Sequence, residues 1–133
     1  MTLKNTNVFT VDVVNRQVNN GETDYINETG VGSLRVNDET FFVKYKTDNA
    51  TVMLKLSCNR AKVTRMGESC SNMEYVLNKT TKFMYNTPYG TMEMELLTKR
   101  IDFDLSDTGG KIILKYDLCG IENNMEITLR RKS

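Results

Sequence analysis

Few residues in this chain could do chemistry. Histidine is absent from its 133 residues. Without it, no Ser-His-Asp or Cys-His arrangement can activate a nucleophile, and no His-containing metal site can form. The cysteines are Cys58, Cys70 and Cys119, odd in number and widely spaced. They make no Cys-x-x-Cys pair and suggest no disulfide framework. A thiol without a neighbouring base is a poor nucleophile. No Gly-rich phosphate loop occurs, so neither a cofactor nor a metal is expected. Carboxylates do come in pairs, Glu93 with Glu95 and Asp102 with Asp104. Each pair falls on the outer face of an expected strand, which reads as a solvated surface rather than an acid/base couple. No residue is assigned a catalytic role, and the chain is expected not to be an enzyme.

What remains suits recognition better than reaction. Tyr85, Tyr89 and Tyr116 each join an aromatic body to a hydroxyl handle. Arg65 offers a fork of donors to an anion. Met73, Met84, Met92, Met94 and Met125 lie in or beside apolar runs. Methionine adapts to irregular shapes, as core filler or in a permissive pocket. The leading expectation is a non-enzymatic binding module, with Tyr85, Tyr89, Tyr116 and Arg65 around a small, partly apolar ligand. The alternative is a barrel filled by side chains that binds a protein, or itself as a homodimer. Outward apolar residues such as Phe42, Met53, Leu97 and Ile113 would support it.

The elements that must position these residues are strands. Side chains alternate faces along a strand. Ile101, Phe103 and Leu105 share one face against Asp102 and Asp104; Ile112, Leu114, Tyr116 and Leu118 share one against Lys115 and Asp117. One apolar and one charged face is the mark of an antiparallel sheet over a core. Asp107-Thr108-Gly109-Gly110 supplies the turn. A tip at 108–109 sets Asp102 against Lys115, which charge pairing favours. A tip at Gly109–Gly110 is favoured by turn chemistry but sets Asp102 against Asp117. The register stays open between them. Upstream, Met92, Met94 and Leu96 face inward at even positions, whereas Ile101, Phe103 and Leu105 are odd. This change near Thr98-Lys99-Arg100 predicts a β-bulge.

The same period runs along the rest of the chain. Strands are expected over 6–15, 22–36 (interrupted by Gly30 and Gly32, which suggest a bulge or bend), 40–47, 51–58, 61–66, 72–86 and 125–130. Asn19-Asn20-Gly21, Asn37-Asp38, Asp48-Asn49, Asn59-Arg60 and Asn86-Thr87-Pro88-Tyr89-Gly90 mark turns. No helical stretch is expected. About eight strands joined in order fit a single all-β domain over 1–133, an up-and-down antiparallel barrel that leaves few edges open. Such a barrel is filled by its side chains or holds one small ligand.

Net charge is +1. That argues against nucleic acid or a membrane as partner, although the Lys44 and Lys46 face would suit a phosphate backbone. The N-terminus has no apolar signal segment, so a cytoplasmic location is expected. Asn27-Glu-Thr29, Asn49-Ala-Thr51 and Asn78-Lys-Thr80 then match the glycosylation pattern by chance. Arg130-Arg131-Lys132 reads as a solvated basic tail.

One stretch carries a resemblance. Tyr85-Asn86-Thr87-Pro88-Tyr89-Gly90, followed by Met92, Met94, Leu96 and Thr98, is similar to the YwiB-like bacterial family of unknown function. Thr29-Gly30, the Arg65-x-Gly67 turn, Leu105 and Tyr116 match further, and the similarity runs from Val8 to Leu129. The resemblance implies a small cytoplasmic, calycin-like barrel related in shape to lipocalins. It brings no catalytic residues. The chain has no Trp and so lacks the Gly-x-Trp start of true lipocalins.

Overall fold

Period-two alternation becomes ten strands in the computed structural model, which describes residues 8–131. They are β1 (Phe9–Asn19), β2 (Glu22–Asn37), β3 (Thr40–Lys46), β4 (Ala50–Ser57), β5 (Arg60–Gly67), β6 (Ser71–Val76), β7 (Thr80–Thr87), β8 (Gly90–Ser106), β9 (Gly109–Leu118) and β10 (Ile121–Arg131). Strands adjacent in sequence pair antiparallel, except β6 and β7. β1 also pairs β10, from Phe9 opposite Arg131 to Val18 opposite Glu122. The sheet therefore winds round as β6-β5-β4-β3-β2-β1-β10-β9-β8-β7 and brings its two edges face to face. That seam carries one isolated bridge, in which the Cys70 and Asn86 amides each donate to the other's carbonyl at 2.8 and 2.9 Å. The Thr81 hydroxyl adds a 2.7 Å bond to the Glu74 carbonyl.

The expected up-and-down barrel is thus present and nearly closed, but with ten strands rather than about eight. One reason is the run over 72–86, expected as a single strand. It turns at 77–79, where Asn78 adopts φ 64°. Asparagine is among the residues that tolerate this left-handed region. The expected strands extend further than read at the C-terminal end, since β10 begins at Ile121 rather than 125. Residues 6 and 7 of the first expected strand, and Lys132 of the basic tail, lie outside the described residues.

Strand polarity gives the barrel two unlike ends. Turns 20–21, 47–49, 68–70, 88–89 and 119–120 gather at one end; turns 38–39, 58–59, 77–79 and 107–108 gather at the other. Toward the second end the interior is apolar, with Phe9, Leu56, Ala61, Ile112 and Leu129 fully or almost fully buried. There Phe41 on β3 meets Phe103 on β8 edge-to-face, ring centroids 5.5 Å apart. Further along, Tyr75 on β6 meets Tyr116 on β9 at 5.0 Å. Both contacts cross the lumen and fill it.

The predicted bulge is present: the β8–β9 register shifts between Thr98 and Arg100. Leu96 and Thr98 face inward before it and Ile101 after it, which reconciles the two parities. The β8–β9 turn takes neither of the two expected registers. Its tip is Asp107–Thr108, with Ser106 opposite Gly109 and Asp102 opposite Ile113. The glycines are needed for another reason. A Cβ on Gly110 would stand 2.0 Å from the Asp104 carbonyl oxygen, and its φ is +146°. Gly32 likewise lies against β3, where a Cβ would meet the Lys44 carbonyl oxygen at 2.2 Å. Pairing of β2 runs through Gly30 and Gly32 with no register shift, so of the bulge or bend expected there, no bulge forms. Charges settle as Lys99–Asp117, Lys111–Glu126 and, within β8, Arg100–Asp102. Arg130, expected in a free tail, pairs with Asp12.

Gly110→Ala is expected to destabilise the barrel by about 1–3 kcal/mol, through backbone strain and the clash with β8. Urea denaturation checks this; an unchanged midpoint would mean that the strands can part without loss.

Candidate functional site

Several inward positions carry polar side chains in registers that are otherwise apolar. On β1, Asn15 follows Phe9, Val11 and Val13 on the core face; on β8, Thr98 follows Leu96; on β10, Asn123 precedes Ile127 and Leu129. Asn15, Thr98 and Asn123 are buried. The Asn15 and Gln17 amides donate to Asn123 Oδ1 at 3.0 and 2.9 Å, and Asn123 Nδ2 donates to the Ile121 carbonyl at 2.9 Å. Asn15 Oδ1 and Thr98 Oγ1 are buried with no hydrogen-bond partner among the described residues. Most buried polar atoms find one, because leaving one unpaired costs on the order of 1–3 kcal/mol.

An ion pair extends this polar region. Arg65 on β5 donates both terminal nitrogens to the Glu28 carboxylate on β2, at 3.1 and 2.8 Å. Arg65 lies opposite buried Val52, and Glu28 opposite buried Val13. β2 and β5 are separated in the sheet by β3 and β4, so the pair bridges the interior. The fork-to-carboxylate geometry fixes both side chains. Glu28 raises the guanidinium pKa above its ordinary value, chiefly by hydrogen bonding; nearby Tyr45 and Tyr85 add to the effect.

Three tyrosines complete the cluster. Tyr45, Tyr75 and Tyr116 are buried. Burial is the first cause raising each of their pKa values above the ordinary 10.0. Glu28 raises Tyr45 further while Arg65 opposes it, and Tyr116 is close enough to Tyr75 to raise it. Charges and hydroxyls from Tyr85 through Arg65 and Tyr45 to Tyr116 and Tyr75 therefore form one connected region.

Of the residues expected from sequence, Arg65, Tyr85 and Tyr116 come together here. Tyr89 does not: it stands at the β7–β8 turn, 98% exposed. Glu28, Tyr45, Tyr75, Asn15, Asn123 and Thr98 were not singled out by sequence. The signal for the last three was a polar residue on the inward parity of an apolar strand. The four paired carboxylates, Glu93, Glu95, Asp102 and Asp104, are all exposed. Among the described residues no group of three His, Cys, Asp or Glu could hold a metal. The three cysteines are free.

A cleft of about 430 Å³ opens over the seam between β6 and β7, lined by Arg65, Cys70, Asn72, Phe83 and Asn86 among others. Such a volume lies in the range of small-molecule sites. Arg65 belongs both to this cleft and to the interior cluster. The outward residues proposed for self-association are less open than expected: Met53 is 39% exposed, while Phe42, Leu97 and Ile113 are half-buried. Tyr25 and Ile26 on β2 are more exposed, at 64% and 49%.

When folded, the protein holds the protons of Tyr45, Tyr75 and Tyr116 above pH 10, where unfolded tyrosines release them. The folded state binds more protons there, so stability is full below pH 10 and falls as pH rises beyond it. Absorbance titration at 295 nm should show these three of the six tyrosines ionising only as the protein unfolds. Ionisation of all six near pH 10 in folded protein would overturn the placement.

Comparison with known proteins gives a consistent picture. A domain of unknown function, DUF1934, matches residues 11–128. The uncharacterized β-barrel protein YwiB of Bacillus subtilis (strain 168) is 25% identical over 79 residues. That alignment takes in 59% of this chain and spans only 56% of that protein's length. The crystal structure of the ywiB protein from Bacillus subtilis superposes with a TM-score of 0.87 at 25% identity, over 96% of this chain and 93% of that one.

Proposed function

From the premise that the chain belongs to the DUF1934 family of unknown function, we propose that it is a non-enzymatic binding module for a small, partly apolar ligand carrying an acidic group. The observation that carries this reading is that Arg65 is shared between the seam cleft and the buried polar cluster. A barrel kept only for its fold has no need of an ion pair and two unpartnered polar atoms among its core residues. In this reading the ligand's acidic group engages the guanidinium, with Tyr85 and Tyr45 beside it. Its apolar part lies along Phe83 in the cleft, and the hydroxyl of Thr98 and the amide of Asn15 offer polar partners deeper in.

The calycin-like character rests on the strands' up-and-down order and the lumen they enclose. A bacterial source and a cytoplasmic setting go with the family resemblance. Self-association is the second reading, favoured by exposed Tyr25 and Ile26 on the part of β2 that pairs with β1 but not with β3.

Native mass spectrometry of protein purified from its own cells tests the first reading. The expected spectrum shows an adduct of roughly a few hundred daltons, in keeping with a pocket of this size. The adduct should leave on denaturation, be lost in Arg65→Met, and persist in Tyr89→Ala. A clean apo mass for the unaltered protein would overturn the reading, and the same spectrum reports any dimer.

A further inference from the structure

The near-neutral net charge conceals an uneven surface. On the outer face of β2, β3, β4 and β5 stand Arg35, Lys44, Lys46, Lys55, Arg60 and Lys62, all exposed. Among the described residues none of the six makes an ion pair; the five that form lie elsewhere. Four of those five draw on the opposite wall, from β8, β9, β10 and β1, where the carboxylates are concentrated. The protein has neutralised one wall and left the other cationic.

Strand register adds an independent observation. Arg35, Phe42, Lys55, Lys62 and Glu74 are directly opposed in turn across β2 to β6, forming one outward row. Lys55 and Lys62 thus face each other on neighbouring strands, a like-charge pairing that destabilises a sheet. Glu74, the one carboxylate in the row, makes no ion pair with Lys62 among the described residues. A local conflict of this kind marks function rather than folding. Arg35 lies over the Phe42 ring at 4.8 Å and Lys55 near it at 6.0 Å, so the cations frame an aromatic. Two clefts flank the row. One of about 260 Å³ is lined by Ser33, Arg35, Phe42, Lys44 and Met53 among others; the other, of about 400 Å³, by Thr40, Lys55, Ser57, Arg60, Lys62 and Glu74, three cations to one carboxylate. With strands about 4.8 Å apart, Arg35 to Lys62 spans roughly 14 Å, the scale of a chain crossing the sheet rather than of one small anion.

We propose that this wall binds the phosphate backbone of a single-stranded polynucleotide, which crosses the row from Arg35 to Lys62 with bases set against exposed Met53 and the Arg35 guanidinium that covers Phe42. Cationic grooves with interleaved aromatics are the general solution for such strands. A lipid surface fits less well, because Phe42 is half-buried and cannot insert. The site is separate from the interior cluster, so the two readings stand or fall independently.

Fluorescence anisotropy of a labelled oligouridylate of about 12 nucleotides tests the proposal with the 133-residue chain. Three phosphate contacts give a salt slope near about −2, so affinity is expected to fall roughly 20-fold between about 50 and 200 mM salt. Lys55→Gln with Lys62→Gln should weaken binding at least about fivefold and flatten that slope. The same double variant should raise the urea midpoint by relieving the opposed charges, a gain that a purely structural role for these lysines would not give together with lost binding. Lys115→Gln on the far wall should leave affinity unchanged. The proposal is overturned by no binding at about 100 µM protein in low salt, by equal losses in the Lys115 variant, or by binding to phosphatidylglycerol vesicles alone.

Discussion

Closure of this barrel depends on Tyr75. The sheet ends on β6 and β7, and along their seam the backbone supplies one isolated bridge between Cys70 and Asn86. Tyr75 is fully buried on β6 and reaches across the lumen to Tyr116 on β9, two strands in from the β7 edge. An aromatic pair of this geometry adds about 0.5–1.5 kcal/mol beyond the area it buries. It holds the otherwise weakly attached β6 edge to the far wall by packing where hydrogen bonds are few. The Phe41–Phe103 contact joins β3 to β8 across the lumen, between strands that are not at the seam. The lumen is filled because its edges must be held.

That constraint also shapes the candidate site. Apolar side chains occupy the end that must be sealed, and polar ones gather toward the end with turns 20–21, 47–49 and 119–120. Arg65 and Glu28 span that region as Phe41 and Phe103 span the other. An ion pair is a weaker cross-brace than aromatic packing, since desolvation offsets much of its Coulomb gain. Its presence at a partly exposed position beside the seam is what sets this end apart.

The sequence was most informative where one face alone was buried. Alternation located β3 and β4 to within a residue and read the inward faces of β8 and β9, and the parity change placed the bulge at Thr98–Arg100. It was least informative at two turns. Asn78 reverses the chain through a φ of 64° inside what reads as one long strand. At the β8–β9 turn both tips left open, 108–109 and 109–110, drew on a glycine, yet Gly109 and Gly110 sit where β10 and β8 approach too closely for any side chain. For the site, Arg65, Tyr85 and Tyr116 were legible by chemical type. Their partners were not, because Glu28 and Tyr45 belong to strands whose distance from β5 across the lumen is invisible in a linear pattern. The cationic wall was hidden for a related reason: net charge sums over two faces that point away from each other.

The ladder between β1 and β10 has a consequence for how the chain is made. Phe9 pairs with Arg131 and Val18 with Glu122, so the sheet's interior is joined by residues from the two extremes of the chain, while its edges fall in the middle. During vectorial synthesis β1 can pair at once with β2, but its other side stays open until β10, the last strand, is made. Contacts of such high sequence separation close slowly. Through that interval an apolar strand bearing Phe9, Val11 and Val13 presents a bare edge, the template on which nascent chains pair with one another.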